Sequence, residues 1–208
     1  MRRAVLLLAV AALACAAPRI PPLAGVPAPE RALPSLRLPD GHRRVVFKWE
    51  YEEGDIAARG DGAVRTAAPD SARLDFFLGG GIGAGSAVLI GDSLRAHRRE
   101  LVQKYLPPVP LLWAALGRLA IPALPDTVVR LDGEVLRADV GRPLEWRVAV
   151  HGESLIELTH VSKGKVTESL TRGGASVVTY EAPAARRRLR LTILRDEIGS
   201  FDASIWSL

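Results

Sequence analysis

A period of two constrains this chain more than any other feature. From Val45, the apolar residues Val45, Phe47, Trp49 and Tyr51 alternate with Val46, Lys48, Glu50 and Glu52, so an extended segment here has one aromatic face and one charged face. The pattern returns downstream. Leu74 and Phe76 flank Asp75, Trp146, Val148 and Val150 share a face, and Leu189, Leu191 and Ile193 alternate with Arg188, Arg190 and Thr192. Between such runs stand Gly54-Asp55, Gly91-Asp92, Asp132-Gly133, His151-Gly152-Glu153, Lys163-Gly164 and Arg172-Gly173-Gly174, whose residue types favour tight turns. Short strands at this spacing predict antiparallel meanders, with roughly ten or eleven strands in all. Gly60-Asp61-Gly62 inside one of them predicts a bulge or bend, and Ala203 to Leu208 is expected to form the last strand.

One region departs from the alternation. Residues 98 to 106 are expected to supply a helical turn or two before Pro107-Pro108, and the run from Pro110 to Pro122 reads as a helix. Pro110 suits its first turn and Pro122 ends it. Leu112, Leu116 and Leu119 or Ala120 make an apolar stripe with Trp113 beside it, and Arg118 is the sole charge. A helix this apolar buries most of its surface, either as a plug in the core or as a lid over a lipid-sized cavity. So many strands rarely stay flat. The expected fold is therefore mainly β in an α+β arrangement, a large curved antiparallel sheet with one or two helices on its concave side.

The N-terminus sets the compartment. Arg2 and Arg3 precede an unbroken apolar run from Ala4 to Ala14, which reads as a secretory signal peptide over residues 1–14. As a helix this run rises only about 16 Å against a hydrocarbon core of roughly 30 Å, so it is too short for a permanent span. Cys15, the only cysteine, stands where cleavage is expected. The stretch resembles the lipobox of bacterial lipoproteins, departing from it in having Ala12 where leucine is usual. The resemblance implies lipidation of Cys15; the alternative is an ordinary secreted protein whose cysteine falls there by chance. Residues 15–42 hold Pro18, Pro21, Pro22, Pro27, Pro29, Pro34 and Pro39 without a periodic apolar face, and read as a semi-rigid tether. A proline-rich ligand segment is the alternative, but no clean PxxP with flanking specificity residues stands out. Residues 43–208 are the expected globular domain.

Composition narrows the function. The chain is 48% hydrophobic and 25% charged, which is globular. Arg2 and Arg3 leave with the signal and no acid does, so the net charge falls by two from +5 to +3, too mild to argue for nucleic acid. With Cys15 lipidated no thiol remains for a disulfide. Gly79-x-Gly81-x-x-Ala84 loosely matches a dinucleotide fingerprint, but Ser86 to Ile90 reads as a strand where a helix is required, so a flexible hairpin loop is the expectation. The histidines at 42, 97, 151 and 160 have no metal-ligand spacing, although His151 and His160 are placed to face one another across a hairpin. No Gly-x-Ser-x-Gly elbow occurs, and Asp55, Asp61, Asp92 and Asp132 sit beside glycines as turn residues do. Neither enzyme, cofactor nor metal is expected. Arg186-Arg187-Arg188 with Arg190 reads as a solvated strand edge, with contact to anionic headgroups or an acidic partner as the alternative.

The order of parts resembles the LolA/LolB-like lipoprotein-sorting superfamily. After lipobox and tether come "FKWEY" at 47–51, a Gly-x-Gly strand, "APDSARLDFFL" at 68–78, a glycine loop and "VLIGDSLRA" at 88–96. An apolar helical insertion near residue 110 follows, then a second meander with "RRRLRLTIL" at 186–194. The resemblance covers about residues 42–208. It implies an incomplete half-barrel of antiparallel strands around a hydrophobic cavity, with helices packed on the concave face. The cavity lining expected here is Phe47, Trp49, Tyr51, Leu74, Phe76, Leu112, Trp113 and Leu116. The implied function is non-catalytic binding of lipid or lipoprotein acyl chains by a monomer anchored at the periplasmic face of the outer membrane, since Ala16 rather than Asp follows the cysteine. The rival expectation is a structural or assembly lipoprotein with a filled barrel that docks on an envelope protein complex. A pocket of several hundred cubic ångströms behind Trp113 favours the first, a packed interior with an exposed apolar patch the second.

Overall fold

The computed structural model describes residues 19–79, 83–97 and 105–208; the expected signal peptide, Cys15, Ile82 and residues 98–104 lie outside these. Two meanders build one sheet. The first comprises β2 (His42–Glu53), β3 (Ile56–Ala67), β4 (Ser71–Leu78), β5 (Gly83–Ile90) and β6 (Ser93–Ala96). The second comprises β7 (Thr127–Asp132), β8 (Val135–Val140), β9 (Trp146–His151), β10 (Ser154–Ser162), β11 (Lys165–Gly173), β12 (Val177–Ala182) and β13 (Arg187–Ile198). β13 returns to pair with β2 from Arg187 opposite Glu53 to Ile198 opposite Arg43, and this long antiparallel pairing joins the halves. With β1 (Val26–Pro27) on the far side of β7, the sheet has thirteen strands in the order β1-β7-β8-β9-β10-β11-β12-β13-β2-β3-β4-β5-β6. It is antiparallel and does not close into a barrel.

The alternation dictates which face is covered. Phe47, Trp49, Tyr51, Leu74, Val148, Val150, Leu170, Tyr180 and Leu189 all point to one side and are buried in a single cluster. The chain between β6 and β7 crosses that concave side and carries helix α1 (Val109–Ala115), whose Leu111, Leu112, Trp113 and Ala114 are buried in the same cluster. The expected helix runs on to Pro122, but α1 stops seven residues earlier, at Ala115. The N–H of Arg118 and that of Leu116 both bond the carbonyl of Trp113, Gly117 turns into the left-handed region at φ +88°, and Leu119 then donates to Leu36 in extended form.

Three further expectations are corrected. β3 pairs with β2 without a register shift through Gly60, Asp61 and Gly62, so no bulge interrupts it. The glycines instead make room for rings: an added Cβ at Gly62 would collide with Phe47, and one at Gly60 would stand 2.9 Å from Trp49 Cζ2. Ala203–Trp206 is a 3-10 turn rather than a strand, capped by Asp202, whose carboxylate accepts from Ser204 N–H at 2.8 Å. It docks on the outer face of the sheet, where Arg73 donates to Ile205 O at 2.8 Å and Phe201 stacks on His42 at 4.8 Å. Arg188 and Arg190 do face solvent, but β13 is a central strand and not an edge.

Residues 19–41 do not hang free as a tether would. Ile20 N–H bonds Gly164 O, and Arg147 donates to Pro21 O at 2.8 Å while its guanidinium grips Asp139 twice, at 2.6 and 2.8 Å. Arg130 then holds Leu23 O and Gly25 O at 3.1 and 2.9 Å. Arg147 and Arg130 alternate with Val148 and Val129, which point into the core, so this part of the segment lies on the convex face. It rounds the sheet edge as β1, and Leu36 and Leu38 enter the concave core. Proline rigidity suits such a strap as well as it suits a spacer, because fixed φ lowers the entropy lost on docking.

Candidate functional site

The concave side is not filled. Two apolar cavities lie along β2 and β13, and Phe76, Leu106 and Leu189 form a wall common to both. The larger, of about 370 Å³, is bounded by Trp49, Tyr51, Ala58, Ala87 and Tyr105, with Ile56 and Leu78 at its margin. The smaller, of about 100 Å³, lies beneath α1 between Leu112, Ala115 and Leu116 on one side and Phe47, Val64 and Leu74 on the other. Ile56, Leu78 and Tyr105 are 52%, 42% and 39% exposed, so the larger cavity opens through an apolar rim.

The expected lining residues divide between these spaces. Trp49 and Tyr51 face the larger cavity, Phe47, Leu74, Leu112 and Leu116 the smaller, and Phe76 both. Trp113 lines neither. It is fully buried, its indole N–H donates to Gly91 O at 2.9 Å, and the Arg118 guanidinium lies over its ring at 4.6 Å. It therefore pins α1 to the β5–β6 turn. The space anticipated behind it lies instead at Tyr51 and Tyr105, whose rings meet edge to face at 5.4 Å.

Each end of the concave face is charged, and the single-letter pattern hid this. At one end, inward positions on adjacent strands place Glu53 beside Arg187, Glu168 beside His160, and His160 beside Trp146. Arg187 donates to Glu53 at 2.7 Å, and the Tyr51 hydroxyl donates to the other Glu53 oxygen at 2.6 Å. The Tyr180 hydroxyl donates to Glu168 at 2.6 Å, while His160 Nδ1 stands 2.9 Å from Thr167 Oγ1 and its ring lies 4.6 Å from that of Trp146. Burial, reinforced by the bond to Glu53, pushes the Tyr51 phenol up to about 12. Burial and then Glu168 push Tyr180 up as well. His151, by contrast, points away to Glu134 at 3.0 Å, so the two histidines do not face one another.

At the opposite end the smaller cavity is bordered by Arg43, Asp196 and Arg172. Arg43 binds Asp196 with N–O distances of 2.8 and 2.9 Å. Arg172 donates to the main-chain oxygen of Ala115, a neutral acceptor. Burial pulls the Arg172 guanidinium below its ordinary value, with Asp196 only opposing that shift. The sequence places Arg172 in a turn; in the structure it stands near the end of β11 opposite Val178, on the same side of the strand as Leu170. Among the described residues no group of histidines, cysteines and acids is placed to hold a metal ion.

No protein-family profile and no curated protein sequence matches this chain. Solved structures do. A LolA superfamily protein from Nitrosomonas europaea aligns over 84% of this chain and 93% of its own, with a TM-score of 0.51 at 10% identity. A DUF1329 family protein from Desulfovibrio piger covers 81% and 90% at a TM-score of 0.46 and 8% identity. A domain described as an outer membrane lipoprotein-sorting protein, from Vibrio parahaemolyticus, covers 79% and 89% at 0.42 and 9% identity. At such identities the likeness speaks for the backbone alone. The open antiparallel sheet wrapped on a crossing helical segment is a LolA/LolB-like fold.

Proposed function

We propose that this protein binds lipid or lipoprotein acyl chains, without catalysis, at the periplasmic face of a bacterial outer membrane, anchored through a lipidated Cys15. The observation that carries the reading is the apolar cavity of about 370 Å³ opening beside Tyr105, a size within the ordinary range for small-ligand pockets. Hydrophobic burial is non-directional, which suits a site that accepts chains of varied structure. Sheltering about ten methylenes at ~0.8 kcal/mol each supplies about 8 kcal/mol, the scale of micromolar affinity. The backbone supports the same reading, since it is similar to that of the LolA superfamily protein from Nitrosomonas europaea.

The test is native mass spectrometry with lipid extraction on the Cys15→Ser chain, which carries no lipid at residue 15, purified from a bacterial envelope. Acyl lipid should copurify and should be lost in Ala58→Trp, which fills the larger cavity from β3, while the circular dichroism stays that of a sheet. A clean protein mass that no added lipid shifts would sink the proposal. A second reading, docking on an envelope protein, draws on the exposed Phe77 and Leu78 beside the cavity mouth; in that case Ala58→Trp leaves partner binding intact.

A further inference from the structure

The two ends of the concave face differ in the groups they present. Around the smaller cavity, Arg43 and Arg172 stand against Asp196 alone, which leaves one positive charge. At the Tyr51 end, Glu53 accepts from Arg187 and Tyr51, and Glu168 accepts from Tyr180. Asp196 is already engaged by Arg43 at 2.8 Å, and Arg172 donates to the neutral main-chain carbonyl of Ala115. A guanidinium held among Leu112, Leu116 and Leu170, with its one neighbouring carboxylate in the cavity lining shared with Arg43, is costly, and an arriving anion would offset that cost. Arg43 and Asp196 keep side-chain exposures of 28% and 46%, so this end meets solvent and an anionic group reaches it without crossing the core.

Between the two ends the lining is apolar. From Val45, opposite Asp196, to Tyr51, opposite Leu189, the strand advances six residues, on the order of 20 Å. One leaflet of a bilayer, half of the hydrocarbon core, is roughly 15 Å deep. A single extended acyl chain therefore matches the run from the positive end, past the shared wall of Phe76, Leu106 and Leu189, into the larger cavity.

Resting on the lipid-binding reading above, we propose that the ligand is a single-chain anionic amphiphile, a fatty-acid carboxylate or an alkyl phosphate, bound with its head at Arg172 and its tail toward Tyr51. The wall residues turn aside to admit the chain, and the carboxylates of Glu53 and Glu168 disfavour an anionic head at the Tyr51 end. Burial lowers the Arg172 proton affinity, and Asp196 opposes that fall without cancelling it.

Calorimetry on the full Cys15→Ser chain, stripped of lipid, tests the assignment with palmitate, hexadecyl phosphate, hexadecanol and inorganic phosphate. Both anionic amphiphiles should bind roughly tenfold or more tighter than hexadecanol, the scale of one charge-assisted hydrogen bond. Arg172→Gln should bring them down to the hexadecanol level and leave hexadecanol itself unchanged. Asp196→Asn, at an exposed position, should strengthen the anions several-fold, and this arm does not depend on Arg172→Gln folding. Equal binding of palmitate and hexadecanol to the unmodified chain overturns the head-group assignment while the lipid-binding reading stands. Inorganic phosphate binding as tightly as hexadecyl phosphate also overturns it, by marking an ion site only. Failure of all three chain-bearing probes overturns both readings.

Discussion

Replacing Gly60 by alanine should destabilise this protein, although a glycine in a strand ordinarily loses by comparison with alanine. Gly60 has no left-handed φ, so on backbone grounds alone the change would gain roughly 0.5–1 kcal/mol. The surroundings reverse the sign. An added Cβ would collide with the backbone oxygen of Phe77 and stand 2.9 Å from Trp49 Cζ2. Neither neighbour gives way easily. The first is main chain in β4, and the Trp49 ring is held by its N–H bond to Asp61 O at 2.9 Å and by an edge contact with Phe76 at 6.2 Å. Overpacking of this kind costs about 1–3 kcal/mol, which leaves a net loss of about 1–2 kcal/mol. Gly85 is the internal control, since its added Cβ meets nothing within 4 Å and Gly85→Ala should be neutral or slightly stabilising. Urea unfolding of the two variants beside the parent reads the difference, with the midpoint of Gly60→Ala falling at unchanged slope. A Gly60→Ala protein as stable as Gly85→Ala would refute the claim that ring and backbone close over this glycine.

Other outcomes follow from the same contacts. Asp139→Ala leaves Arg147, 8% exposed, without its carboxylate, and should cost about 3–5 kcal/mol, with hydrogen exchange rising first at Ile20; unchanged exchange there would count against the docked strap. Tyr51 keeps its proton to about pH 12 in the folded chain but loses it near 10 when unfolded, so stability is intact below pH 10 and falls as pH rises from 10 to 12. Tyr51→Phe should flatten that fall in urea midpoints measured across the window, and an identical pH profile in the variant would contradict the assignment.

Strand existence was legible from Phe47, Trp49 and Tyr51, or from Leu189, Leu191 and Ile193, because one buried face imposes a period of two on any half-covered sheet. The LolA/LolB-like arrangement was legible in the order of these runs. The candidate site was half legible. Side-chain direction within a strand is local, so seven of the eight expected lining residues do border a cavity. Trp113 does not, because its place depends on which turn its indole meets, and Gly91 lies 22 residues away in the chain. Arg172 and Glu168 share the parity of Leu170, but a charged residue in a strand reads as solvated until the opposing strands are known.

The alternation, the turns and the breaks at proline are each a property of a few adjacent residues, and so could be read along the chain. Tertiary structure decided the rest. It ended α1 at Ala115 although Leu116, Leu119, Ala120 and Ile121 continue the apolar run, and Leu119 N–H bonds Leu36 O instead. It laid residues 19–41 around the sheet edge, because Arg147 and Arg130 offered donors to a backbone whose prolines have none. It also set the charge at each end of the concave face, since β13 brings Asp196 to Val45 and Arg187 to Glu53 only by pairing with a strand well over 100 residues earlier in the chain. Contacts of that range carry no periodicity, and only the folded backbone assigns them.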